Sequence, residues 1–129
     1  MEKTRSIKAT IGMFDNEDLA KMTTAEKSEV NIDDFNWCLQ RVQKEVYEKY
    51  GLYVAFQTSI VDCVYHAEWG CPSIGEPCAL MTAIANPKFI NDLDKWQEAA
   101  LEIITKMKEL ASQSTVTVEI YDSNIIYLE

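Results

Sequence analysis

The sequence predicts an α+β domain, a two-layer α/β sandwich with its elements in the order β-α-β-β-α-β. Three observations predict it. Apolar and polar residues alternate near both ends of the chain. Two long central stretches repeat apolar residues every three or four positions. A loop rich in Gly and Pro separates two further extended runs that lie between those stretches.

The first strand is expected over 6–14, where Ile7, Ala9, Ile11 and Met13 share one face and Lys8 and Thr10 the other. Residues 15–30 mix acids, lysines and threonines and read as a surface connection with room for one short helical turn. A connection of that length is a candidate binding loop. The first helix is expected over 32–50. Asn31 with Asp34 resembles a capping box, and Phe35, Leu39, Val42 and Val46 form the buried stripe. Gly51 then supplies a left-handed C-terminal stop.

A second strand is expected over 52–64, with Val54, Phe56, Thr58 and Ile60 facing one way and Tyr53, Ala55, Gln57 and Ser59 the other. It is long enough to bend near Ser59. Gly70, Pro72, Gly75 and Pro77 make 65–77 a loop, and small apolar residues mark a third strand over 78–85. Asn86-Pro87 opens the way to a second helix over 87–111, starting there or at Asn91. Its stripe runs through Leu93, Trp96, Ala100, Ile103, Ile104 and Met107. A fourth strand is expected over 115–121, with Ile125–Leu128 as an optional extra C-terminal strand. This is the split βαβ, ferredoxin-like order, in which two helices cover one face of an antiparallel sheet. Such a fold selects no single function.

With 129 residues, 47 % of them hydrophobic, the chain is read as one domain over 1–129. The formal charge is -9, from 12 basic and 21 acidic side chains. No Lys or Arg occurs between Tyr50 and Pro87 or after Lys108, so direct nucleic-acid binding is not expected. No apolar run is long enough for a membrane span and no secretory leader is visible, so a cytoplasmic location is expected. Free thiols are then the favoured state of Cys38, Cys63, Cys71 and Cys78.

Cys63-Val64-Tyr65-His66 with Cys71 and Cys78 is the sharpest constellation. Thiolates and imidazole suit zinc, but the gaps do not match paired CxxC knuckles. Core cysteines beside incidental loop residues are therefore favoured over a metal site at Cys63, His66, Cys71 and Cys78, and no cofactor is expected. A thiolate-imidazole pair made of Cys71 or Cys78 with His66, the only histidine, is a second option, with Glu76, Glu68 or Asp62 orienting the ring. No glycine-rich phosphate loop is present. The acidic pairs Asp33-Asp34 and Asp92/Asp94 sit where helix starts favour negative charge.

Without a catalytic signature, the sequence reading is a small acidic interaction, inhibitor or adaptor module, more a binder than an enzyme. Its expected partners are a second copy of itself, as a homodimer, and a basic protein. The expected contact residues are Trp37, Tyr53, Gln57, Thr117, Glu119 and Tyr121, most of them on the sheet face opposite the helices. The alternative is a small-molecule-binding protein or enzyme working from the His66/Cys71/Cys78 region, with zinc as a variant.

Overall fold

The computed structural model describes all residues from Met1 to Glu129. In chain order the elements are β1 (Glu2–Gly12), α1 (Asn16–Lys21), α2 (Thr24–Ser28), α3 (Asp33–Tyr50) and β2 (Gln57–Cys63), followed by a 3-10 turn at Ala67–Trp69. Then come β3 (Glu76–Ile84), α4 (Leu93–Leu110) and β4 (Val118–Ile125). The strands form one antiparallel sheet in the order β2-β3-β1-β4. This is the expected ferredoxin-like, two-layer arrangement.

Alternation decides the layers. Ile7, Ala9 and Ile11 of β1 and Ala79, Met81 and Ala83 of β3 are buried in one core with Val42 and Val46 of α3 and Trp96, Ile103 and Met107 of α4. Both long helices therefore lie on the same face. Ala9 of β1, Ala79 and Ala83 of β3 and Ala99 and Ala100 of α4 are buried in the same core as Trp96, the largest fully buried side chain. No helix is long and apolar enough to cross a membrane.

Several expectations are corrected. Residues 15–30 hold two short helices, not one turn; Thr23 and Glu26 close a full capping box on α2. The helix α3 lacks a side-chain cap at Ile32, and Asn31 accepts from Asp33 N instead of pairing with Asp34. The helix α4 starts at Leu93, capped by Asp92, because Asn86 is used in a turn with Lys88. The second strand begins only at Gln57. Upstream, the Gln43 amide donates to Val54 O at 2.8 Å, so α3 satisfies a backbone group that a neighbouring strand would otherwise take. Its ladder with β3 is continuous from Gln57 to Cys63, without a bulge at Ser59. The fourth strand extends to Ile125 and absorbs the turn expected at Asp122-Ser123-Asn124, leaving no fifth strand.

The face opposite the helices is uncovered. It presents Gln57, Ser59, Val61 and Cys63 from β2, with Glu76, Cys78, Leu80, Thr82 and Ile84 from β3. Lys8, Thr10 and Gly12 from β1 and Glu119 and Tyr121 from β4 complete it.

Candidate active site

The polar chemistry concentrates where the chain returns from the β2–β3 loop into β3. Glu76 is the first residue of β3, opposite Cys63 and on the uncovered face. The Tyr65 hydroxyl donates to Glu76 Oε1 at 2.7 Å. Both side chains are half-buried. The ion pairs of the molecule engage other carboxylates, so this phenol is the strongest donor that Glu76 has.

The loop is held to place these two groups. Ile74 adopts φ 64 and Gly75 φ 105. Positive φ is a strained conformation for a β-branched residue such as isoleucine. Lys27 of α2 stabilises it by donating to Ile74 O at 2.7 Å while pairing with Asp62 at 2.9 Å. The long connection after β1 thus clamps the loop that carries the site. A β-carbon at Gly75 would lie 3.1 Å from Val64 Cγ2, so close packing as well as φ favours glycine there.

Two ionisable neighbours are kept neutral. The hydrogen bond to Glu76, then burial, pushes the Tyr65 phenol above its ordinary value of 10.0. Burial, then a hydrogen bond with Cys63, pushes the Cys78 thiol above its ordinary 9.0. At neutral pH Tyr65 is an O–H donor rather than a base, and Cys78 is a poor nucleophile.

Of the residues singled out from sequence, Glu76, Cys78, Cys63 and Cys71 do come together. Cys78 Sγ lies 3.7 Å from Glu76 Oε2, and Cys71 Sγ accepts from Tyr65 N at 3.5 Å and lies 3.8 Å from Cys63 O. His66 stands apart. It is exposed, accepts from Glu68 N at 3.1 Å and turns its ring toward Trp69. It therefore reaches neither Cys71 nor Cys78, and no group of three or more His, Cys, Asp or Glu side chains is placed to hold a metal ion.

The contact residues divide. Gln57, Glu119 and Tyr121 lie on the uncovered face, and Thr117 is exposed just before β4. Tyr53 does not; it precedes β2, and its ring packs near Tyr47 of α3. Trp37 is exposed on α3 beneath the Arg41 guanidinium.

Sequence reasoning missed Tyr65, Gln113 and Gly12. Tyr65 lies inside the Cys63–His66 run, between more conspicuous ligand-type residues. The available signal was Glu76 itself, a carboxylate entering a strand within a long segment that has no Lys or Arg. Gln113, between α4 and β4, donates from Nε2 to Phe14 O at 2.9 Å and Ala111 O at 3.1 Å. Beyond it, Met13, Phe14, Met22, Phe35, Cys38 and Met107 line a cleft of about 530 Å³ with Glu26, Glu29 and Asp34 among its polar residues. That volume is in the range of small-molecule sites.

The Tyr65–Glu76 pair lies on the uncovered face, and the apolar cleft is lined from the helix side without either residue. The family model for SAM lyase matches residues 19–129, and the chain belongs to that family. Among solved structures, a phage SAM lyase in complex with S-methyl-5'-thioadenosine matches with a TM-score of 0.53 and 13 % identity, over 98 % of this chain and 93 % of that one. At that identity the likeness shows the fold. No curated protein matches. Family membership overturns the reading of the chain as an adaptor or inhibitor more binder than enzyme: the family is one of enzymes, and the alternative of a small-molecule enzyme is the better supported. Acidic charge and a semi-apolar sheet face do not by themselves distinguish a docking module from an enzyme.

Proposed function

We propose that this chain is a lyase that cleaves S-adenosylmethionine at the bond between the sulfonium sulfur and the four-carbon amino-acid chain, releasing S-methyl-5'-thioadenosine. The observation that carries the proposal is the Tyr65–Glu76 pair within a chain of the SAM lyase family. The substrate carries a sulfonium and an ammonium, and Glu76 offers negative charge without a basic side chain to neutralise it.

The chemistry suits the groups present. The substrate's own carboxylate attacks its γ-carbon, the C–O bond closes a five-membered lactone, and the C–S electron pair passes to sulfur. The sulfonium becomes a neutral thioether, no water is consumed and no proton must move. A neutral phenol and a neutral thiol supply neither a strong base for C–H abstraction nor a thiolate nucleophile, which favours this internal displacement. Glu76 then acts electrostatically, orienting the cationic substrate, and Tyr65 fixes the direction of the carboxylate. The apolar cleft beside Phe14 is the candidate seat of the thioadenosine part.

The uncovered face supports a second element of the reading, self-association. Ile84 and Tyr121 are 58 % and 44 % exposed there, on the same sheet face as Glu76 but at the opposite end of β3. A second copy seated on that end of the face would bury both side chains. A cytoplasmic setting fits four cysteines that all remain free.

Incubating the purified chain with S-adenosylmethionine tests the proposal. Equal molar loss of substrate and gain of methylthioadenosine and homoserine lactone is expected. No methylthioadenosine above a Glu76→Gln control overturns it.

A further inference from the structure

Gly12, the last residue of β1, sits opposite Cys78 on the uncovered face. A β-carbon added there would lie 2.6 Å from Gln113 Oε1, 2.8 Å from Glu76 Oε2 and 2.9 Å from Gln113 Cδ. Its φ is not in the left-handed region, so glycine is needed there for space and not for backbone conformation. Two side chains reach over the same point, Glu76 from the β3 side and Gln113 from the connection into β4.

The orientation of the Gln113 amide is fixed by its partners. Its nitrogen donates to two carbonyls, those of Phe14 and Ala111, so the oxygen is the end directed at Gly12 and Glu76. On the carboxylate, Oε1 accepts from Tyr65, while Oε2 has only the weak Cys78 thiol at 3.7 Å. Two acceptor oxygens, one of them charged, therefore converge with no strong donor between them. Two acceptors side by side repel unless a donor joins them, and a cationic N–H group satisfies both.

We infer that Gln113 Oε1 and Glu76 Oε2, above the bare Gly12, seat the α-ammonium of the substrate's amino-acid end, with Gln113 as the residue that sets specificity for it. This rests on the function proposed above and deepens it. It gives Gln113 a role beyond closing the C-terminus of α4, and it makes Gly12 a requirement of the site. Holding the ammonium also fixes the adjacent carboxylate relative to the γ-carbon.

Two non-reacting ligands isolate the ammonium. S-adenosylhomocysteine carries it, and methylthioadenosine does not. Calorimetric binding of both is measured on the unaltered chain, Gln113→Leu and Gly12→Ala, with thermal unfolding as a check on folding. Gly12→Ala displaces only the far ends of two flexible side chains, so the fold is retained. Each variant should weaken S-adenosylhomocysteine by about tenfold or more and leave methylthioadenosine within about twofold, the scatter of a small perturbation. Equal weakening of both ligands, in Gly12→Ala as in Gln113→Leu, would assign Gln113 a purely structural role and overturn the inference. So would an S-adenosylhomocysteine affinity that Gly12→Ala leaves unchanged. If neither nucleoside binds the unaltered chain, the proposed function fails first, and this inference with it.

Discussion

The Tyr65 phenol donates to the Glu76 carboxylate at 2.7 Å, across the point where the strained Ile74–Gly75 turn enters β3. The bond joins a loop to a strand, so it both shapes the loop and aims the charge. Its geometry separates the two residues' contributions.

Glu76→Gln keeps an acceptor for Tyr65 but removes the charge. Stability should change by no more than about 1 kcal/mol, the net worth of one hydrogen bond. Methylthioadenosine production should fall by about 10²-fold or more, as when a preorganised electrostatic group is lost. A melting curve and an activity assay on the same preparation check both halves; retained activity would remove Glu76 from the site.

Tyr65→Phe removes the donor and leaves the charge. Activity should fall less than in Glu76→Gln, about tenfold for a hydrogen bond worth ~1.4 kcal/mol. The pH dependence of stability should change as well. Folding raises the phenol above 10.0, so its stabilisation is full below that pH and declines as pH rises toward the higher folded value. Unfolding measured in the alkaline range should show a steeper loss in the unaltered chain than in Tyr65→Phe. Parallel curves would mean that the bond does not hold the proton in solution.

Thiol reactivity should rank by burial and charge. Cys78, buried and raised above 9.0, should be alkylated last among the four cysteines at neutral pH. Mass spectrometry of partly alkylated protein reads the order. Early modification of Cys78 would show that the β3 entrance opens.

His66→Ala should be nearly silent, within about 0.5 kcal/mol in stability, because its imidazole is exposed and only caps the short turn at Ala67. A large loss of stability or activity would restore His66 to the site.

Ile84→Glu and Tyr121→Glu test the sheet face. If copies associate through it, sedimentation at micromolar concentration should show a smaller species in either variant, and less association at low salt, where like charges are less screened. Tyr53→Glu, on the α3 side, should leave the species unchanged. An oligomer indifferent to both face variants would place the contact elsewhere.

The sequence carried the scaffold further than the site. Period-two alternation at Ile7, Ala9 and Ile11 and the helical stripe through Trp96, Ile103 and Met107 located the layers, because burial imposes those periods directly. The start of β2 was hidden because Val54 and Phe56 keep strand parity while Gln43 ties the backbone to a helix. In sequence Glu76 reads as a partner of His66, the more conspicuous residue. Its true neighbours, Tyr65 at eleven residues' separation and Gln113 far along the chain, meet it only through the loop's fold and the sheet order. Nothing in local spacing encodes that meeting.

The most direct test of the central claim is the reaction run in water enriched in heavy oxygen, with the four-carbon product captured before its ring opens. Intramolecular displacement at the Glu76 site predicts homoserine lactone without heavy oxygen, alongside one methylthioadenosine per substrate lost. Homoserine carrying heavy oxygen in its hydroxyl would mean that water attacked the γ-carbon, and would contradict a lyase.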